Sequence, residues 1–162
     1  MDRRLQTFER IVRMSYQLTD AREDSHTIGH PFDERNLHHL MPDVVRQLFD
    51  DGHYSQATFE MYKFVDNQVQ MFANSSETGY KLMMQAFAKD NPQIKLTPLK
   101  TTSDKDEQTG FQFLFAGAVL AVRNPRGHKV DVADDVDTCL DHLSLASMLL
   151  RRLEAAGFAI SP

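Results

Sequence analysis

The residues with the clearest chemical potential lie at positions 123–128, which read Arg-Asn-Pro-Arg-Gly-His. Histidine titrates near neutral pH and can therefore move a proton. Arginine stays charged and can hold a phosphate through two parallel donors, which stabilises the charge of a transition state. Asparagine can orient either partner. Arg123, Asn124 and His128 therefore suit phosphodiester cleavage, and RNA needs no metal for it because its own 2′-hydroxyl can serve as nucleophile.

The spacing of these residues also has an ordinary structural explanation. An Arg-x4-His pair arises readily by chance in a chain with this many arginines and histidines. Arg123 could cap the end of a helix, and His128 could lie in a loop. Pro125 and Gly127 predict that the preceding helix stops here, and that a tight turn brings Arg123 and His128 to one face.

The composition is typical of a single soluble domain. The chain has 162 residues, of which 41% are hydrophobic and 25% charged, enough to bury a core. Its net charge of -5 argues against tight, nonspecific binding of nucleic acid, which depends on phosphate neutralisation, but leaves a small basic cleavage site open. The single cysteine, Cys139, excludes an internal disulfide. Neither a signal peptide nor a membrane-spanning stretch is visible, so we expect a cytoplasmic protein.

Apolar residues recur at helical spacing through most of the chain, which predicts an all-α fold. The predicted helices cover roughly residues 3–20, 42–51, 54–73, 82–87, 104–122 and 134–156. Residues 91–103 are expected to be extended, with a short strand as the alternative. Gly29 and Pro31 break a polar stretch, so we divide the chain into an N-terminal helix and linker, 1–36, and a helical bundle of four to five helices, 37–162.

Several segments, in order along the chain, carry a family likeness. They are residues 40–44, 49–54, 57–69, 90–96, 107–117, 121–128 and the leucine-rich stretch 143–153. Together they span about residues 38–156 and resemble the Ymh-like branch of the HEPN superfamily. The resemblance implies a HEPN-like helical bundle that forms a homodimer, with an Arg-x4-6-His motif at the dimer interface. It also implies metal-independent RNA cleavage in toxin, abortive-infection or other phage-defence settings.

Carried over residue by residue, the resemblance makes Arg123 and His128 the motif pair, and Asn124 the polar residue that commonly follows the arginine. The weaker candidates for RNA contact are Arg126, Lys129, Lys63 and Glu60. The last two match a charged helix pattern of the family, but an ion pair three residues apart would explain them structurally. An antitoxin or a sensor protein is an implied partner beside the RNA substrate.

Two further interpretations concern metals and noncatalytic roles. The histidines at positions 26, 30, 38, 39 and 53 invite a metal site, but thiolate partners and a His-Glu-x-x-His pattern are absent, so we predict neither metal nor cofactor. The main competing function is a noncatalytic dimerisation module that binds RNA or protein. A third is a structural subunit of a defence assembly, with residues 1–36 as its docking element.

Overall fold

The computed structural model describes residues 29–128 and 133–161, including the backbone but not the side chain of His128. The chain divides into two compact units, Met1–Glu34 and Arg35–Pro162. In the first unit a short helix is described, α1 (Pro31–Glu34). The helix predicted over residues 3–20 lies outside the described residues, and the domain boundary after residue 36 stays a prediction.

The described part of the second unit consists of helices and the segments that connect them. The helices are α2 (Asp43–Asp50), α3 (Tyr54–Ala73), α4 (Gly79–Ala86), α5 (Thr102–Ala118), a π-helical segment (Val119–Arg123), α6 (Asn124–His128) and α7 (Val136–Ala155). No β-strand occurs among residues 29–128 and 133–161. The all-α prediction is therefore confirmed, and residues 91–103 contain no strand.

Helix α3 is the element against which most of the unit assembles, because α2, α4, α7 and the π segment all pack on it. Its core positions recur every three or four residues, and Ala57, Met61, Val65 and Val69 are each at most 2% exposed. The helix ends at Asn74, whose φ of 46° lies in the left-handed region that asparagine tolerates better than most residues. The predicted helix over 54–73 is confirmed.

Gln108 on α5 holds the nonhelical stretch that follows α4. Its side chain is fully buried. The side-chain oxygen accepts a hydrogen bond from the Leu96 N–H (2.8 Å), and the amide nitrogen donates to the carbonyls of Ile94 (2.9 Å) and Phe87 (3.2 Å). A strand would satisfy such backbone groups by pairing with a neighbour. Here one buried amide does so, which explains how the bends of this stretch can be buried without joining a sheet.

Replacing Gln108 with leucine should therefore destabilise the fold strongly. The substitution leaves three buried backbone groups without their partner, and we expect a loss of about 3 kcal/mol, at one to three for each unsatisfied group less some relaxation. Chemical denaturation measures the loss. Gln85→Leu on the exposed side of α4 is the matched control. Equal unfolding free energies for the two variants would contradict this role of Gln108.

The end of α5 differs from the sequence prediction. The prediction that Pro125 and Gly127 stop the helix is wrong, because residues 124–128 are helical. The Asn124 N–H donates to the Val119 carbonyl five residues back, which is the π-helical pattern. This wider turn restarts the α-helix at Asn124, so Pro125 falls in a first turn, where its missing N–H costs little.

Candidate functional site

Arg123 is the last residue of the π segment, and its side chain lies between α3 and α4. The guanidinium carbon lies 5.8 Å from the centre of the Phe59 ring on α3. A Cβ built on Gly79, the first residue of α4, would lie 3.6 Å from Nη1 of Arg123. Gly79 has a φ of +63°, a conformation that strains other residues, so this close approach is built into the backbone.

The Arg123 guanidinium has no hydrogen-bond or ion-pair partner within the described chain, where it contacts the Phe59 ring and is attracted by Asp66 through space. Its Nε atom is inaccessible to solvent and makes no hydrogen bond. Among the described residues, no carboxylate lies within ion-pair distance of it either, although the side chain is only partly exposed. A partly desolvated cation without a partner is unfavourable for folding. Such an arrangement favours an anionic ligand, which would supply the missing partner.

A buried carboxylate, Asp66, contributes negative charge behind this site. Its side chain accepts a hydrogen bond from the Gly79 N–H at 2.8 Å, and the residue is 3% exposed. Burial raises the pKa of Asp66, whereas the Gly79 hydrogen bond and the positive charge of Arg123 act in the opposite direction. Asp66 therefore holds the start of α4 beside Arg123, and it interacts with the guanidinium through space.

Arg123 and Asn124 open together into a small recess. The recess has a volume of about 130 Å³ and is lined by Phe59, Arg123, Asn124 and Gly127. At roughly 30 Å³ for each liquid water molecule, it has room for a few waters or one phosphate-sized anion. Two of the sequence-predicted catalytic residues, Arg123 and its chain neighbour Asn124, thus line the same recess.

The backbone of His128 lies at the last position of α6. The predicted tight turn between Arg123 and His128 is replaced by helix. At about 100° per residue, five residues rotate the backbone by roughly 140°, whereas four return it to nearly the same side. Asn124 and His128 therefore share one side of α6 in helical register. Arg123 lies about 140° around the helix from His128, so the prediction that a turn brings these two residues to one face is wrong.

Gly127 is needed for the close packing of α6 on α3. A Cβ built on it would lie 3.0 Å from Cε2 of Phe59, tighter than ordinary packing, so any larger residue forces the ring to move. The glycine that the sequence suggested as a helix stop instead permits this helix contact.

Arg126, a weaker candidate for RNA contact, donates its hydrogen bonds to groups inside the protein. Its Nε and Nη2 donate to the two carboxylate oxygens of Asp134 at 2.6 and 2.5 Å, and the side chains are 6% and 5% exposed. Its Nη1 donates to the Val122 carbonyl at 2.7 Å. Nη2 also lies 3.2 Å from Nδ1 of His142, which must act as acceptor because a guanidinium has no lone pair to offer. RNA could reach Arg126 only by displacing Asp134, so the structure favours an internal role.

The other weaker candidates lie apart from this arrangement or outside the described residues. Lys63 and Glu60 form an ion pair of 3.2 Å on α3, with partly exposed side chains, which is the structural explanation that the sequence already offered. Lys129 is outside the described residues. Among the residues that the structure describes, no group of three histidine, cysteine, aspartate or glutamate side chains could hold a metal ion.

Sequence reasoning missed Phe59, Asp66 and Gly79. Asp66 carried a signal, because it falls between Tyr62 and Val69 on the apolar face of α3, where a charge needs a partner. Phe59 and Gly79 carried none, since their role depends on which helix end comes to lie against them.

Comparison with known proteins gives one match. Residues 35–153 match a family described as Hypoth_ymh, protein of unknown function. The chain belongs to this family. No curated protein and no solved structure matches it. The matched range includes Arg123, Asn124, Asp66 and the whole cluster around Arg126, so every part of the candidate site lies within the family domain.

A membrane segment was not expected from the sequence. Over the described residues, no helix is both long and apolar enough to cross a bilayer.

The Arg126 cluster predicts a pH dependence of stability. Burial, with a smaller contribution from Arg126, lowers the pKa of His142 below its ordinary value of 6.5, against the opposing effect of Asp134 and Asp141. The folded protein thus binds this proton less readily than the unfolded chain. The stabilisation is complete above pH 6.5 and is lost as the pH falls through the lowered pKa.

His142→Gln should therefore reduce the fall in melting temperature between pH 7.5 and 5.0, because glutamine keeps an acceptor for Arg126 but does not titrate. Thermal denaturation at both pH values measures this difference. The same substitution at the exposed His53 is the control. A wild-type pH dependence in the His142→Gln variant would show that His142 is not responsible.

Proposed function

We propose that this chain is a HEPN-type endoribonuclease that acts as a homodimer and needs no metal ion. The observation that supports this most is the Arg123 guanidinium, which is partly buried, lacks a partner in the described chain and faces a recess of phosphate size. A structural arginine would resemble Arg126, whose donors are satisfied internally. Arg123 is the arginine that the HEPN resemblance assigns to the motif.

In the proposed reaction, the 2′-hydroxyl of the substrate attacks the adjacent phosphorus, and the bond to the 5′-oxygen of the next nucleotide breaks. His128 acts as general acid or base in moving the proton from the attacking to the leaving oxygen. Arg123 holds the scissile phosphate and neutralises the charge that builds on it. Asn124 orients one of these groups. The products are a 2′,3′-cyclic phosphate and a 5′-hydroxyl.

The exposed side of α5 and of the π segment that follows it supports the proposed homodimer. Phe113 is 60% exposed, Leu114 45% and Leu120 49%, although these are large apolar side chains. Phe113 and Leu120 are seven residues apart, as expected for a helix face that packs against another helix. The face continues through Ala121 to Asn124, so a second copy on it would place two motifs near each other and form a composite site.

The HEPN resemblance also supplies the biological setting of this proposal. A toxin or anti-phage system in the cytoplasm, with an antitoxin or sensor protein as regulator, agrees with a protein of net charge -5 that binds RNA only weakly outside its site. Arg123 is then the local positive charge that the composition as a whole does not provide.

Cleavage should depend on Arg123 and His128 without a matching loss of stability. Purified wild type in EDTA should cleave single-stranded RNA, and Arg123→Met and His128→Ala should each be slower by at least about 100-fold. Because Arg123 makes no hydrogen bond or ion pair in the described chain, Arg123→Met should change the melting temperature by no more than a few degrees. End-group analysis of the products measures the chemistry.

His53→Ala, another histidine substitution at an exposed position, is the matched control and should cleave normally. A folded wild type that cleaves nothing, or a His128→Ala variant that cleaves at the wild-type rate, would refute the ribonuclease proposal. If the folded wild type binds RNA without cleaving it, the noncatalytic binding module becomes the better description.

The dimer should depend on the exposed face that α5 and the π segment share. Leu120→Asp places a charge in the proposed interface and should convert the dimer to a monomer, with cleavage lost at protein concentrations where wild type is active. Sedimentation analysis measures the mass. Met71→Asp on α3, where the methionine is 52% exposed, is the control and should leave both properties unchanged. A Leu120→Asp variant that stays dimeric would exclude this face.

A further inference from the structure

The buried ion pair between Arg126 and Asp134 needs an explanation beyond stability. Removing a guanidinium and a carboxylate from water costs several kcal/mol for each ion, and replacing such pairs by apolar residues is often neutral or stabilising. A planar guanidinium fixes the directions of its hydrogen bonds, because its donors lie in a rigid fork. The fixed geometry of these donors can hold the groups that accept from them in a defined arrangement.

Arg126 bonds to the chain both before and after residues 123–128. Its Nη1 bonds to the carbonyl of Val122, the residue immediately before Arg123. Its fork bonds to Asp134, which follows His128 by six residues. The guanidinium therefore fixes the chain just before the motif to the chain just after it.

Two contacts with α3 complete this arrangement. The Asp134 N–H donates to the hydroxyl of Ser55 at 2.9 Å, and Gly127 lies against the ring of Phe59. On α7, Nδ1 of His142 accepts from Nη2 of Arg126 and limits the rotation of the guanidinium. Helix α6 is thus held from α3, from α7 and from the π segment, with Arg126 at the centre.

We propose that Arg126 and Asp134 are positioning residues, oriented by His142, that hold Arg123, Asn124 and the backbone of His128 in their working arrangement without touching the substrate. The inference rests on the proposed ribonuclease function for its consequence in catalysis. Its structural part, that the ion pair sets the location of Arg123, is tested separately.

The test replaces the pair rather than breaking it. Arg126→Met combined with Asp134→Leu removes both charges at once, so the variant should keep its melting temperature to within a few degrees. Its kcat for RNA cleavage should fall by about 10- to 100-fold, the effect expected of a small misplacement of catalytic groups. The KM should change much less. An exposed pair, Glu77 and Lys81 at 2.6 Å, is replaced by leucine and methionine as the control and should keep the wild-type kcat.

A conservative variant tests the inference even if the double variant does not fold. Arg126→Lys keeps the positive charge beside Asp134 but loses the fork, so its kcat should also fall while the protein stays folded. A wild-type kcat in either Arg126→Lys or the double variant overturns the inference. A loss of activity that the fraction of unfolded protein fully explains also overturns the inference.

Nuclear magnetic resonance of the arginine Nε–H groups separates this inference from the proposed function. Nε of Arg123 is inaccessible and unpartnered, so its signal is sensitive to movement of the site. The signal should shift or broaden in the double variant and stay in place in the Glu77 and Lys81 control. An unmoved Arg123 signal contradicts the inference whether or not the chain cleaves RNA, whereas a folded wild type that fails to cleave contradicts only the proposed function.

Discussion

Pro125 cannot donate a backbone hydrogen bond, and the way the chain accommodates this loss determines where Arg123, Asn124 and Gly127 lie. The π-helical segment shifts the pairing by one residue, so that Asn124 donates to Val119. Helix α6 then begins anew, with the proline in its first turn. A wide turn of this kind rotates the residues that follow it, and it leaves Arg123 at the junction of two helical segments, where its side chain reaches between α3 and α4.

Two arginines three residues apart illustrate how differently the same side chain can be used. Arg126 is almost fully buried and its charge is matched by Asp134. Arg123 is less buried, but its Nε has no hydrogen-bond partner. The Asp66 carboxylate attracts its charge through space without forming an ion pair. The ion pair of Arg126 fixes the position of the surrounding chain, whereas Arg123 can still bind an anion. A proposed phosphate-binding role follows from this contrast more than from the presence of either arginine.

Helix α3 supplies the surface on which the site is built. It packs against α7, Phe59 meets Gly127 of α6, and the buried Asp66 binds the start of α4. The site therefore depends on three helix junctions rather than on one loop. Sites on packed helices are held more precisely than sites on loops, since neighbouring side chains fix their rotamers.

Much of the helical framework could be predicted from the sequence, because helix ends and core positions are set by local chemistry. Helix α3 was predicted with its observed bounds, since its apolar residues repeat every three or four positions. The start of α5 was predicted at residue 104 and lies at Thr102, because Thr101 and Asp104 form a reciprocal capping box before it. The sequence also pointed to Arg123, Asn124 and His128, through residue type and family resemblance.

Only the tertiary structure decided which of these residues are available for chemistry. Nothing near position 126 in the sequence shows that Asp134 and His142 occupy its guanidinium, and nothing near position 123 shows that its own Nε lacks a partner. The helical path through Pro125 was also missed, because its cost is removed by a π turn and by packing against α3. Burial and partner choice depend on contacts between residues far apart in the chain, whereas propensity and periodicity describe only neighbours.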